Sequence, residues 1–141
     1  MACNNSTVVD ADIDVTWSTL RNFHQMGWAK GVIESVDVVG EKPGTEPGAG
    51  RALNGVFHET LISFDNERRT FSYSIDDGPG PVARDQISDY VGTVPLKPVT
   101  DTGQTFVEWR SNYDSADPAA VGAFCDPIYR ALLAALKAHL G

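Results

Sequence analysis

Two residues with the chemistry for proton transfer, Arg51 and Glu59, stand in one short apolar stretch: Gly50-Arg51-Ala52-Leu53-Asn54-Gly55-Val56-Phe57-His58-Glu59-Thr60-Leu61. Burial raises the pKa of a carboxyl group, and a neighbouring cation opposes the rise. A carboxyl poised nearer neutrality exchanges protons well and can act as general acid or base. A guanidinium beside it can steady a developing oxyanion, or clamp a ligand carbonyl or carboxylate. On the surface the same two side chains would be an ordinary ion pair of little energetic weight. Buried, they must be paired, because an isolated charge is costly to take out of water.

Which case holds depends on the register of a hairpin at Asn54-Gly55, a strong turn signal. As a two-residue type I′ turn, Leu53 pairs with Val56 and Arg51 with His58. Arg51 and Glu59 then lie on opposite faces of the sheet. As a three-residue loop, with Gly55 in the left-handed region and a bulge, Arg51 pairs with Phe57 and Glu59 shares its face. A one-residue slip turns every side chain over, so the two registers exclude each other. The bulged register is preferred, because three-residue loops of this kind are common. It puts Arg51, Phe57, Glu59 and Leu61 inward. It puts Val56, His58, Thr60 and Ile62 outward, a face that is apolar at both ends. A homodimer interface over Val56 and Ile62 would explain that face.

Other candidates lie along the chain. Tyr73 and Tyr90 can each bring a hydroxyl to an interior site. Trp28 and Trp109 can supply apolar wall, and Trp17 packs the first helix on the sheet. Phe124 and Ile128 lie on the apolar stripe of the last helix and face the same interior. His24, His58 and His139 are scattered. Cys3 and Cys125 have no ligand or redox spacing partner, so no metal site is expected. Asp76 and Asp77 read as turn residues.

The elements that must position these residues follow from patterning. Thr7-Val8-Val9 is β-prone. Asp12 or Asp14 caps a helix carrying Val15, Trp17, Leu20 and Phe23. Residues 24–30 form a second short helix or a turn. Residues 32–39 alternate as a strand, and 41–48 are a Pro- and Gly-containing loop. The hairpin follows, then strands over 70–75, 87–96 and 105–113. Pro95 marks an edge, a bulge or a strand end. A final helix starts at Asp117-Pro118, with the stripe Val121, Phe124, Cys125, Ile128, Leu132, Leu136 and Leu140, and Pro127 should kink or split it. Consecutive short-linked strands pair antiparallel. Only the long terminal helix is large enough to cover the sheet, and a curved sheet around one helix leaves an internal cavity.

The bulk numbers narrow the partners. The chain has 141 residues, suited to one domain, with a formal net charge of -8 at pH 7. Such a surface repels nucleic-acid phosphates and anionic lipid. No run approaches the roughly 20 apolar residues that span a bilayer. The opening residues Met1-Ala2-Cys3-Asn4-Asn5-Ser6 lack a basic region and an apolar core, so a cytoplasmic protein is expected.

Several segments in order are similar to the START-like, helix-grip superfamily, which includes birch-pollen-allergen proteins and polyketide cyclase/dehydrase-like proteins. They are Val15-x-Trp17, Trp28, the neighbourhood of Arg51, Glu59-Thr60-Leu61 and Arg69 to Ile75. Asp89 to Thr93, Val107-Glu108-Trp109 and Ile128 to Leu132 follow. The resemblance covers nearly the whole chain. It implies one ligand-binding domain over 1–141, an α+β fold. A curved antiparallel sheet of about six to seven strands would wrap the C-terminal helix, with two short helices after the first strand. The chain is also distantly similar to plant lachrymatory-factor synthases. By that pattern the cavity arginine, glutamate and tyrosine match Arg51, Glu59 and Tyr90. The hairpin between Arg51 and Glu59 is shorter here, and the loop Gly78-Pro79-Gly80-Pro81 differs, so the likeness does not extend to sulfur chemistry. One fold hosts many functions.

Two functions are therefore carried forward. One is a cofactor-free enzyme acting on a small, mostly apolar, carbonyl-bearing molecule, by cyclisation, dehydration or isomerisation. Arg51, Glu59 and Tyr90 would be catalytic, and Trp28, Phe57, Leu61, Tyr73, Trp109, Phe124 and Ile128 would contact the ligand. The other is a carrier of an apolar small molecule, in which Arg51 and Glu59 only neutralise each other.

Overall fold

A computed structural model describes residues 2–141. The chain opens with β1 (Ala2–Val9), followed by α1 (Ile13–Leu20) and the short β2 (Val36–Val39). Five strands then run in hairpin succession: β3 (Gly50–Leu53), β4 (Phe57–Asp65), β5 (Thr70–Asp77), β6 (Ile87–Val99) and β7 (Gln104–Ser115). The chain ends in α2 (Pro118–Leu140). The strands form one antiparallel seven-stranded sheet in the order β1-β7-β6-β5-β4-β3-β2. The expected helix-grip arrangement is present.

Local chemistry explains most boundaries. Asp12 caps α1, its Oδ1 accepting from Val15 N at 2.8 Å. Trp17 turns inward onto Phe64 and Phe71, and its indole N–H donates to Asn66 Oδ1 at 2.8 Å. Val15, expected on the buried stripe, is 50% exposed instead. Asp117 caps α2 through Ala120 N, and Pro118 occupies the first turn, where a missing N–H costs nothing.

The structure departs from the sequence reading at several places. Residues 24–30 are turns, so only one short helix follows β1. The strand expected over 32–39 is confined to Val36–Val39, because the Asn54 side chain takes the backbone of Val32, Glu34 and Ser35 instead. Pro95 lies inside β6, a central strand. It is accommodated by a gap in the ladder to β7 between Thr93 and Leu96. Pro127 does not split α2, which runs unbroken with the proline on its exposed side.

The 23-residue α2 is long and apolar enough by composition to cross a bilayer, contrary to the sequence reading. Its apolar stripe is used elsewhere. Val121, Cys125, Tyr129, Leu132, Leu133 and Leu136 are buried against the sheet. Phe124, Ile128 and Leu140, expected on the stripe, are only half-buried and flank it.

Candidate functional site

Between β3 and β4, Asn54 and Gly55 both take positive φ, 53° and 71°, and Val56 N closes the turn on Leu53 O at 3.0 Å. Val56 is then an extra residue, and the ladder resumes with Leu53 opposite Phe57. The loop is thus three residues long, as preferred from sequence, although the extra residue is Val56. The pairing differs from the expected one: Arg51 faces Glu59 directly, rather than Phe57. Asn54 tolerates its backbone because a short amide side chain suits the left-handed region. The outward residues are as expected: Val56 and Ile62 are 46% and 45% exposed, and His58 is exposed.

Arg51 and Glu59 are both buried, at 3% and 6% exposure. Arg51 donates from Nε to Glu59 Oε1 at 2.8 Å, and its Nη2 lies 2.6 Å from the same oxygen. Nη1 donates to the backbone oxygen of Phe23 at 2.9 Å. The guanidinium carbon sits 3.7 Å from the centroid of the Phe23 ring, a close cation–π contact. Both Arg51 contacts fall on Oε1, and Oε2 receives no hydrogen bond among the described residues. Among the described residues the sealed side-chain polar atom without a partner is Ser111 Oγ, so Oε2 is not fully sealed. Burial pushes the Glu59 carboxyl above its ordinary range, and Arg51 opposes the rise.

A second polar group lies beside the pair. Trp109 Nε1 donates to Tyr73 Oη at 2.9 Å, and Tyr73 Oη lies 3.3 Å from Tyr129 Oη. The Tyr129 and Tyr90 hydroxyls are in direct hydrogen-bond contact, and Tyr90 donates to Cys125 Sγ at 3.5 Å. Desolvation holds all three phenols protonated well above the ordinary tyrosine range. It also raises the Cys125 thiol to about 11. These groups are therefore neutral donors near pH 7. Sequence reading missed Tyr129, as it missed the cavity-lining residues Met26, Ile33, Leu53, Ile75, Cys125 and Leu132. The signal for Tyr129 was present, since position 129 follows Cys125 by one helical turn on the same face.

Arg51, Glu59 and the tyrosines line one cavity of ≈ 30 Å³ together with Met26, Ile33, Leu53, Phe57, Ile75, Trp109, Cys125, Ile128 and Leu132. Of the residues expected from sequence, Arg51, Phe57, Glu59, Tyr73, Tyr90, Trp109 and Ile128 meet there. Trp28, Leu61 and Phe124 do not line it. Trp28 stands behind Trp109, with ring centroids 6.2 Å apart. Leu61 is buried farther along β4, opposite Tyr73. Phe124 packs on Phe57 at 6.2 Å and closes that side. Among the described residues no group of three or more His, Cys, Asp or Glu side chains is placed to hold a metal ion.

Residues 3–141 match a family model described as "Polyketide cyclase / dehydrase and lipid transport". No curated protein is significantly similar to the chain. Among solved structures, a protein from Nitrosospira multiformis is 42% identical, with a TM-score of 0.97 over 100% of this chain and 97% of that one. The protein XoxI from Bacillus cereus shares 23% identity and a TM-score of 0.79, over 99% of this chain and 94% of its own. Ginseng major latex-like protein 151, from Panax ginseng, shares the fold at 14% identity and a TM-score of 0.76, over 99% of this chain and 97% of its own. Family and fold together support a ligand-binding domain.

Proposed function

The chain belongs to the polyketide cyclase/dehydrase and lipid transport family, and from that premise we propose that it is a cofactor-free enzyme acting on a small, mostly apolar, carbonyl-bearing molecule. The observation that carries the reading is the asymmetry of Glu59. One carboxylate oxygen is committed to Arg51, and the other is unbonded at a largely apolar cavity. In this reading Oε2 takes a proton from the carbon next to the ligand carbonyl. The uncommitted N–H groups of Arg51 then hold the enolate oxygen, and the Tyr90 hydroxyl orients it. Returning the proton to another atom gives isomerisation, and loss of a hydroxyl from the β-carbon as water, taking the proton held on Glu59, gives dehydration and restores the carboxylate. Attack of the carbanion on a second carbonyl gives cyclisation, the resulting alkoxide taking the proton held on Glu59.

The test uses β-tetralone, an apolar ketone with acidic α-hydrogens, in D₂O followed by NMR. The native protein is expected to speed α-hydrogen exchange, and Glu59→Gln is expected to bind the ketone without speeding it. Equal exchange rates with the two proteins would refute Glu59 as the base.

The carrier reading is favoured by a different observation, the mutual engagement of Arg51 and Glu59, which leaves the pair close to self-neutralised. Saturable binding of β-tetralone with no exchange above buffer would select it. A homodimer over the exposed Val56 and Ile62 stays a proposal, to be read from the solution mass.

A further inference from the structure

The cavity of ≈ 30 Å³ has room for water; a site for an organic ligand needs several hundred Å³, about 300 or more. Any organic ligand therefore enters only if part of the wall moves. Most of the wall is tied by sheet ladders or lies on α2. Residues 21–35 contain neither helix nor strand. Their outer parts are pinned. Phe23 O accepts from Arg51, His24 Nε2 meets Gly50 O at 2.9 Å, and the Asn54 side chain holds Val32, Glu34 and Ser35. Between these anchors the backbone bonds are local, such as Ala29 N to Met26 O and Ile33 N to Ala29 O.

Two side chains from this segment, Met26 and Ile33, line the inner cavity. The same two line a second space of ≈ 490 Å³ outside it, with His24, Gln25, Gly27, Glu34, Ser35 and Val36. They are the shared partition between the two spaces. Trp28 and Ala29 stay buried at 6% and 0% exposure, so the intervening backbone is held in place. Met26 is itself buried, at 5% exposure, and Ile33 half-buried, so opening takes a rotamer change of these two side chains rather than a shift of the backbone. Methionine, unbranched and with three rotatable bonds, adapts most easily.

Building on the ligand-site reading above, we propose that Met26 and Ile33 are a side-chain gate, and that the full site is the inner cavity joined through them to the outer cleft. The ligand class follows from the two ends. The inner end offers Arg51 and Glu59 among apolar walls. The outer end offers His24, Gln25, Glu34 and Ser35. The fitting molecule is elongated, with a carbonyl at its buried end, an apolar middle and a polar or solvated group at its outer end. The competing route runs between the hairpin and α2, where Phe57 and Phe124 close the wall.

The test is the stopped-flow association rate of prodan, an elongated naphthalene dye with a ketone at one end and an amine at the other. Met26→Ala and Ile33→Ala are each expected to speed association by at least about tenfold, because binding that waits for a conformational change is slow. Ile33→Trp is expected to slow it, and Phe124→Ala to leave it near the native rate. Should Met26→Ala fail to fold, half-buried Ile33 carries the test. Unchanged rates in both alanine variants, or acceleration by Phe124→Ala alone, would overturn the gate while leaving the ligand-site reading intact. An absence of saturable prodan binding in every variant would overturn both.

Discussion

The phenol of Tyr73 occupies the space that a side chain at position 92 would fill. The two residues are partners across β5 and β6, and a Cβ built on Gly92 would lie 2.4 Å from Tyr73 Cζ and 2.6 Å from its hydroxyl. Glycine is required there by close approach and not by turn conformation. The ring cannot retreat cheaply, because Trp109 and Tyr129 hold its hydroxyl.

Gly92→Ala should therefore destabilise the protein by about 1–3 kcal/mol, the usual range for overpacking a filled interior. Urea unfolding of the single variant and of Gly92→Ala/Tyr73→Leu checks it. The double variant should recover part of the loss, since the two positions are in contact and their effects are not additive.

Breaking the buried ion pair from one side should cost more than removing it. Arg51→Ala leaves the Glu59 carboxyl unpaired, with an expected loss of about 3–5 kcal/mol, whereas Arg51→Met/Glu59→Leu should cost far less. Chemical denaturation of both variants decides between this expectation and a pair that is needed for folding. A double variant as unstable as the single would show the latter.

Glu59 gives a pH dependence of known sign. Its folded-state pKa lies above the ordinary value of 4.5 because of burial. The folded chain then holds this proton more tightly than the unfolded chain does. Its contribution to stability is complete below the ordinary value and declines as pH rises through the raised one. The stability of the native protein minus that of Glu59→Gln should therefore be most favourable below pH 4.5 and fall as pH rises through the raised pKa. An opposite slope would mean that Arg51 outweighs burial.

Pro127 interrupts the hydrogen-bond ladder of α2 on its exposed side. A proline in a helix interior is about 3 kcal/mol worse than alanine. Pro127→Ala should raise the melting temperature, and an unchanged or lower value would mean that the missing N–H costs the folded helix nothing.

Much of this was legible in the residues. Period-two alternation located β5 and β7, because a half-buried antiparallel strand must alternate. Asp117-Pro118 located the start of α2, because capping and a missing N–H suit only a first turn. The shared inward face of Arg51 and Glu59 was one of the two registers open to Asn54-Gly55, and the one preferred, although Arg51 was expected opposite Phe57 and stands opposite Glu59. Patterning could not show that Val56 is the residue squeezed out, since a loop can absorb its extra residue at more than one place. Nor could it locate β2, where a side chain from the hairpin tip, Asn54, captures the backbone of residues 32–35. Such a bond spans some twenty positions and leaves no periodic trace. Tyr129 was overlooked for a third reason. Tyrosine reads as amphipathic on a helix, and only the neighbouring Tyr73 and Tyr90 make its interior placement favourable.

The pairing of β1 with β7 sets an order in time. Ala2 to Val9 find their partners at Asn112 to Thr105, and Asp10 N reaches Gly141 O at 3.1 Å. β1 therefore leaves the ribosome long before anything exists for it to pair with, while β3 to β7 can zip up as neighbouring hairpins. Contacts so distant in sequence close slowly. Distance along the chain therefore favours closing the β1–β7 pairing after the local hairpins. Because α2 carries Tyr129 and Cys125, the Tyr73 and Tyr90 hydroxyls gain these partners only once that helix has docked.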